Sequence, residues 1–405
     1  MSAPGRRLFG RVGPVMTPSR AAFAGIFVVT GLGLLTVGAT LPVLPLYVTG
    51  PIGAGDVAVG VVTGAFAATG LLFRPIGGAF ADARGRKPVV VIGALLTMTA
   101  GLLYFVPAGV PGLIVARLFL GAGEGMVYTA GAAWVVDLAP PARRGRIIGL
   151  YGLSIWGALS LGPPIGDLLL KASSFEMVWA FTAIAPLLGA LIASRIPEPA
   201  YRPPPGLADL TLGDRFRRLV APEALGPGSA LALSVIGFSA LGAFIVLHLD
   251  ARGIGHGTAA FTAFAATVVT VRIFGGGIPD RFGGGRTAAV SGGLQAVALL
   301  IIALAQSLPV AVIGTVTMGA AFALLFPSLA LLVVDRVPEE RRGAAMGTFT
   351  AFFDVGFGIG APLAGAMAGI GGYGLSFAVA SVIALGAIPL ALRAARAARA
   401  AAATA

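Results

Sequence analysis

Cysteine is absent from the 405 residues, so no disulfide, thiolate nucleophile or cysteine-bound metal belongs to this protein's chemistry. Histidine is almost absent. His248 and His256 cannot form a zinc site by themselves, and both read as surface residues near the outer end of a helix. Charge is scarce too: 11% of residues are Asp, Glu, Lys or Arg, against roughly 25% in a soluble domain. A chain so poor in charge cannot cover a water-soluble globule, so lipid must be part of its solvent. There is no Walker-type G-x-x-x-x-G-K-[ST] loop, which excludes ATP as the energy source. Without an H-E-x-x-H motif or a Ser–His pair at matching depth, no catalytic constellation, cofactor or metal is indicated and no enzyme is expected.

What the chain does have is length without charge. Apolar runs long enough for helices to span a bilayer recur throughout. The expected fold is an all-α membrane protein with twelve transmembrane helices in two six-helix bundles. The predicted spans are 23–48, 57–81, 88–106, 112–137, 147–170, 177–195, 229–249, 258–280, 287–306, 309–335, 344–369 and 373–392. Residues 1–22 form an N-terminal segment. The first apolar stretch, too long for a signal-peptide core, reads as the first span. The proline-rich segment 196–228 reads as a linker between bundles 23–195 and 229–392, and 393–405 as a C-terminal tail. With the N-terminus inside, the inner segments hold 23 basic residues and the outer loops hold only Lys171 and Arg252. That bias places both termini in the cytoplasm and the protein in the cell (inner) membrane. The net charge of +12 then records topology and contact with the lipid bilayer, and no nucleic acid is expected as a partner.

The two halves repeat at a fixed offset of 198 residues. Arg74, Gly77, Gly78 and Asp82 match Arg272, Gly275, Gly276 and Asp280. Asp137, Pro140, Arg143, Arg144, Gly145 and Gly149 match Asp335, Pro338, Arg341, Arg342, Gly343 and Gly347. Gly162 and Pro164 match Gly360 and Pro362. Two halves of like topology, related by an axis along the membrane normal, follow from this.

The segment from Gly78 through Asp82 and Gly85 to Arg86 and Lys87 resembles the major facilitator signature between helices 2 and 3, with Phe80 for the usual Leu. Asp280, Arg281 and Gly283 form a reduced second copy. Arg117 to Gly121 resembles the helix-4 pattern of that family. Gly149, Gly162, Pro163 and Gly166 resemble the helix-5 pattern of its twelve-helix drug:proton antiporters, with Ala158 and Asp167 departing from it. The resemblance covers residues from about 20 to 395. It implies a secondary active transporter working by alternating access, proton-coupled and exporting drug-like or amphipathic molecules. A sugar or metabolite permease, importers included, is the alternative.

Residue types assign roles within that frame. Gly78, Asp82, Gly85, Arg86, Lys87, Asp137 and Asp280 form the expected gate: Asp82 faces the positive N-terminus of a helix, in the resembled family helix 11, and the basic residues pair with Asp137. Arg117, Glu124 and Asp354 are the expected proton-coupling set, because charges in a bilayer need a reason and a desolvated carboxylate holds its proton more tightly. Arg117 and Glu124, seven residues apart on one helix face, stand roughly 10 Å apart along the axis and are expected to share a polar cavity. Arg74 and Arg272 are expected to snorkel toward the inner surface. Asp167 and Asp250 are expected to be solvated. Gly162, Pro163, Gly360 and Pro362 are candidate hinge residues. Tyr47, Tyr128, Trp156, Phe244, Phe326 and Phe353 could line a central cavity, which with its acids would suit lipophilic or cationic compounds. The partners expected are a small-molecule substrate and protons, and the chain is expected to act as a monomer.

Overall fold

In hydrocarbon a backbone must bond to itself, and this chain does so as helices throughout. The computed structural model describes residues 20–138, 144–198, 221–337 and 341–404. Among the described residues ten long helices precede the last glycine-rich stretch: α1 (Arg20–Thr49), α2 (Asp56–Arg84), α3 (Arg86–Leu103), α4 (Gly109–Leu138), α5 (Arg144–Ala172), α6 (Phe175–Arg195), α7 (Leu225–Ala251), α8 (Gly257–Phe274), α9 (Gly284–Leu304) and α10 (Leu308–Val334). The helix Arg342–Leu385 loses its helical backbone at Gly371 and Gly372, the latter with φ 76°. It therefore makes two passes, α11 (342–370) and α12 (373–385). A turn at Gly386 leads into α13 (Ala387–Thr404), so helix continues through the segment expected as a plain tail.

One expected span is broken. The stretch 258–280 ends as α8 at Phe274, and only a short helical turn, Ile278–Phe282, follows. Gly275, Gly276 and Gly277 occupy the gap, and three successive glycines carry the highest backbone entropy cost a helix can meet. Its counterpart α2 runs unbroken past Gly77 and Gly78 to Arg84. Much of the expected linker, 199–220, lies outside the described residues. Pro222–Ala224 form a 3-10 turn and α7 already begins at Leu225.

Packing repeats with the sequence. In the first half α4 lies on α2 and α3, and α1 on α5 and α6; in the second, α10 lies on α8 and α9, and α7 on the α11–α12 pair. Two close approaches fall at repeat-related glycines. Gly121 faces the Phe66 carbonyl and Thr69, and Gly319 faces the Phe264 carbonyl and Thr267, 198 residues on. Small residues let membrane helices approach where no hydrophobic force drives them together. The turn glycines Gly85 (φ 97°) and Gly283 (φ 84°) also occupy equivalent positions, with a backbone conformation that side-chain-bearing residues avoid.

The halves meet along two main seams, α2 against α11–α12 and α5 against α8, with α1 touching α7 between them. At one end both seams are closed. Gly60 and Gly64 abut Ala361 and Pro362, Tyr373 donates to Asp56 (2.9 Å), and Ser160 donates to the Ala265 carbonyl (2.8 Å). Toward the other end they part. Gly152, two turns along the face of α5 that carries Trp156 and Ser160, has nothing within 4 Å among the described residues. Gly347 on α11 is equally open, and Gly78 meets only Thr129 of its own half.

Candidate functional site

Where the seams begin to part, each half presents one arginine to the other. From α2, Arg74 donates through Nε (2.5 Å) and Nη2 (3.1 Å) to the carboxylate of Asp354 on α11, which is 2% exposed. The guanidinium lies over the Tyr128 ring at 4.6 Å. Gly70, one turn before Arg74, leaves room for the Asp354 carboxylate. The expectation that Arg74 snorkels to the surface is overturned, because an acid across the seam satisfies it in place.

Arg272 holds the equivalent position on α8, and it too remains inside. Its guanidinium lies over the Trp156 ring at 4.4 Å and 5.9 Å from the Phe326 ring. The offset of 198 governs this site as well: Trp156 corresponds to Asp354, and Phe326 to Tyr128. In one seam the arginine meets a carboxylate, in the other an indole. Nε and Nη2 of Arg272 are buried and have no hydrogen-bond partner among the described residues. A cation–π contact contributes ~0.5–2 kcal/mol, whereas burying a charge costs several kcal/mol per ion. The aromatic face therefore offsets only part of the cost of holding Arg272 there.

Glu124 on α4 is 8% exposed and accepts a long bond from Thr97 (3.4 Å). It forms no ion pair among the described residues, and Gly33 of α1 lies directly against its carboxyl. Arg117, fully buried, does not join it. Its guanidinium donates to the Thr63 carbonyl (2.9 Å) and toward Thr40 (3.4 Å) and lies 4.8 Å from the Phe66 ring. The shared Arg117–Glu124 cavity expected from their spacing is thus not formed. Gly125, beside Glu124, instead packs against the backbone of Gly70 and Arg74.

The aromatic candidates divide. Tyr128, Trp156 and Phe326 surround the two arginines, and Phe353 is adjacent to them through Phe238 and Phe322. Tyr47 packs on Phe175 and Trp179 within the first half. Phe244, fully buried, stacks on Tyr373 away from the arginines. Gly162 packs against Gly38, with Pro163 buried beside it; Gly360 packs against Ile236 and Ser239; and Pro362 lies against Gly60 and Gly64. At these candidate hinges the helices pack tightly, and the break in regular backbone lies elsewhere, at Gly371 and Gly372.

At the α2–α3 turn, Arg86 bridges Asp82 and Asp137 (3.1 Å to the latter). A residue the sequence did not single out completes the turn. Glu198, just past α6, accepts from the backbone N–H groups of Arg86 (2.5 Å) and Lys87 (3.2 Å) at the N-terminus of α3. An acid there meets orphan donors and the positive end of the helix dipole. Its signal was position alone, an acid between two prolines. Replacing Glu198 with alanine should cost about 1 kcal/mol, the usual value of such a cap, read as a lower midpoint in thermal unfolding of the purified protein. Asp280, in the second copy, is exposed and has no ion pair among the described residues.

Two minor expectations change. His248 is buried, bonded to the Ile302 carbonyl (2.9 Å) and packed on Phe377, while His256 is exposed. Asp167 accepts from Thr258 across the α5–α8 seam (3.3 Å) as well as pairing with Lys171 (2.7 Å). Asp250 is exposed, as expected.

Relatives match this chain over most of its length. An uncharacterized MFS-type transporter of Salmonella typhimurium is 33% identical over 362 residues, covering 87% of this chain and 91% of its own. One from Pseudomonas aeruginosa is 32% identical over 377 residues, 90% of each chain. Among solved structures, the human organic anion transporter MFSD10 superposes with a TM-score of 0.70 at 21% identity, covering 92% of this chain and 99% of that one. A bacterial homolog of the human lysosomal transporter Spinster, inward-facing and occupied, gives 0.69 at 17% identity, with 95% and 96% coverage. The peptide transporter POT gives 0.74 at 15%, with 98% and 97%. The family model for the Major Facilitator Superfamily matches residues 26–305 and 228–404. Fold, internal repeat, relatives and family model agree: this chain is a multi-pass membrane transporter, not an enzyme, and belongs to the Major Facilitator Superfamily.

Proposed function

We propose that the protein is a proton-coupled exporter of amphipathic small molecules, acting as a monomer by alternating access in the cell (inner) membrane with both termini cytoplasmic. The observation that carries this reading is Glu124. It is a buried carboxyl bonded only to a neutral hydroxyl among the described residues, beside an arginine already committed across the seam. An unpaired buried carboxylate bears a large desolvation cost, and taking up a proton removes it. When Glu124 loses that proton, its charge competes with Asp354 for Arg74. Loosening the Arg74–Asp354 bond frees the α2–α11 seam, so proton release at Glu124 and movement of the halves are linked. With the basic loops inside, the end at which the seams part is the cytoplasmic one. The structure then corresponds to an inward-facing state, in which the Asp82 turn is held by Arg86 within its own half.

The test uses everted membrane vesicles that carry a proton gradient. Panels of amphipathic cations and anions are added while a ΔpH-sensitive dye reports proton movement. The wild type should dissipate the gradient with its substrates. Glu124→Gln, which keeps the shape and the Thr97 contact, should lose at least tenfold of that movement while remaining folded. Wild-type proton movement in this variant would remove Glu124 from the mechanism. Accumulation of the solute driven by an inward gradient in right-side-out vesicles would favour the importing permease instead.

A further inference from the structure

We infer that Arg272 is an anion-recognition site, and that the transported solute carries a carboxylate or similar planar anionic group on an aromatic or apolar body. The inference rests on the transporter reading and names the substrate chemistry for it. The argument is a comparison between the two arginines. Arg74 spends one edge of its guanidinium, Nε and Nη2, on the two carboxylate oxygens of Asp354. Arg272, at the equivalent position of the repeat, leaves that same edge without a partner. The residue standing where an acid would be is Trp156, and Trp156 covers the ring-facing side of the guanidinium without accepting its N–H bonds. A buried edge of this geometry matches a carboxylate bidentately. The chain therefore provides an arginine fork in both seams and an internal acid in only one.

The surroundings agree. Trp156, Phe326 and Phe322 offer aromatic faces next to the fork. Arg74 lies over the Tyr128 ring and Arg272 beside Phe326, the residue at the equivalent position of the repeat. The nearby acids do not compete for an incoming anion's place. Asp354 is held by Arg74, and Glu124 is enclosed against Gly33 and Thr97. The sequence-based expectation of a cavity suited to lipophilic or cationic compounds counted these acids as available. In this state the open edge of Arg272 is closed to water while the Trp156 ring lies against the guanidinium, so side chains about the fork must move for a ligand to engage. Ligand entry thereby acts on the α5–α8 seam, because Trp156 and Arg272 belong to opposite halves.

The experiment measures binding to the purified full-length protein in detergent, without a proton gradient, by tryptophan fluorescence. The probes are 1-naphthoate and its cationic counterpart 1-naphthylmethylammonium. The wild type should bind the anion at least tenfold more tightly than the cation. Arg272→Gln should lose at least tenfold in affinity for the anion, Arg272→Lys should recover part of it, and Trp156→Phe should remove the fluorescence response. Asp250→Asn, exposed and outside the site, should bind the anion as the wild type does, and because binding is read without a proton gradient, a failed coupling mechanism leaves this result unchanged. If the wild type binds neither probe or shows no preference for the anion, the inference is overturned even where the Arg272 variants do not fold. Unchanged naphthoate affinity in a folded Arg272→Gln overturns it equally.

Discussion

Asp354→Asn alone will destabilise the protein more than replacing Asp354 and Arg74 together with apolar residues, and it will abolish transport. The reason is that Arg74 and Asp354 are placed in each other's reach across a seam that little water enters, with Asp354 2% exposed. Breaking a buried pair by removing one partner leaves an uncompensated charge and costs about 3–5 kcal/mol. Replacing both by apolar groups of similar volume is often neutral or better. The asparagine cannot neutralise Arg74, and among the described residues the other acid near it is Glu124, the proton carrier in the proposed mechanism. Thermal midpoints of Asp354→Asn, Arg74→Gln and the double variant Arg74→Met with Asp354→Leu compare a broken pair with a replaced one. The double variant should approach wild-type stability and still fail to transport, since a seam without the ion pair has nothing to release. If the single variants prove no less stable than the double, the pair is a surface-like contact and the seam is held by packing alone.

Gly121→Val should leave no folded protein to purify, and Gly319→Val should behave alike. In each half the glycine of the fourth helix lies against a carbonyl of the second, Phe66 in one case and Phe264 in the other. Thr69 tightens the first contact by donating to the Leu118 carbonyl (2.7 Å). Overpacking costs about 1–3 kcal/mol when neighbouring side chains can yield. Here the obstacle is backbone, so two helices must separate along their length and the cost will exceed that range. Size-exclusion chromatography of detergent extracts reads the outcome. Gly152→Ala is the control: its side chain enters open space and should elute as the wild type does. A monodisperse Gly121→Val would mean that the α2–α4 contact is looser than described.

Most of the architecture could be read from residue patterns because the bilayer admits few alternatives. Uncharged runs gave the helices, and a constant offset gave the duplication. The break after Phe274 was missed since Gly275 and Gly276 also match α2 glycines that sit inside a continuous helix. The same residues are tolerated in one context and end the helix in the other, and propensity does not tell these apart. The site was legible by type and not by pairing. Glu124 and Asp354 stood out as acids in apolar runs. That Asp354 takes Arg74 from 280 positions away, while Arg117 turns to carbonyl and hydroxyl oxygens, depends on helix rotation about the seam. One signal was present and unused: the offset itself, applied to Asp354, lands on Trp156 and points to unlike neighbours for two like arginines.

That inequality means the halves are not interchangeable parts. A homodimer built from two copies of the first half would set Trp156 opposite Arg74 twice, with no acid bridging either interface. One built from two copies of the second would set Asp354 opposite Arg272 twice, locking both. Only the fused pair of diverged copies yields one latched and one unlatched side, so the duplication, once its members had drifted apart, could no longer be undone.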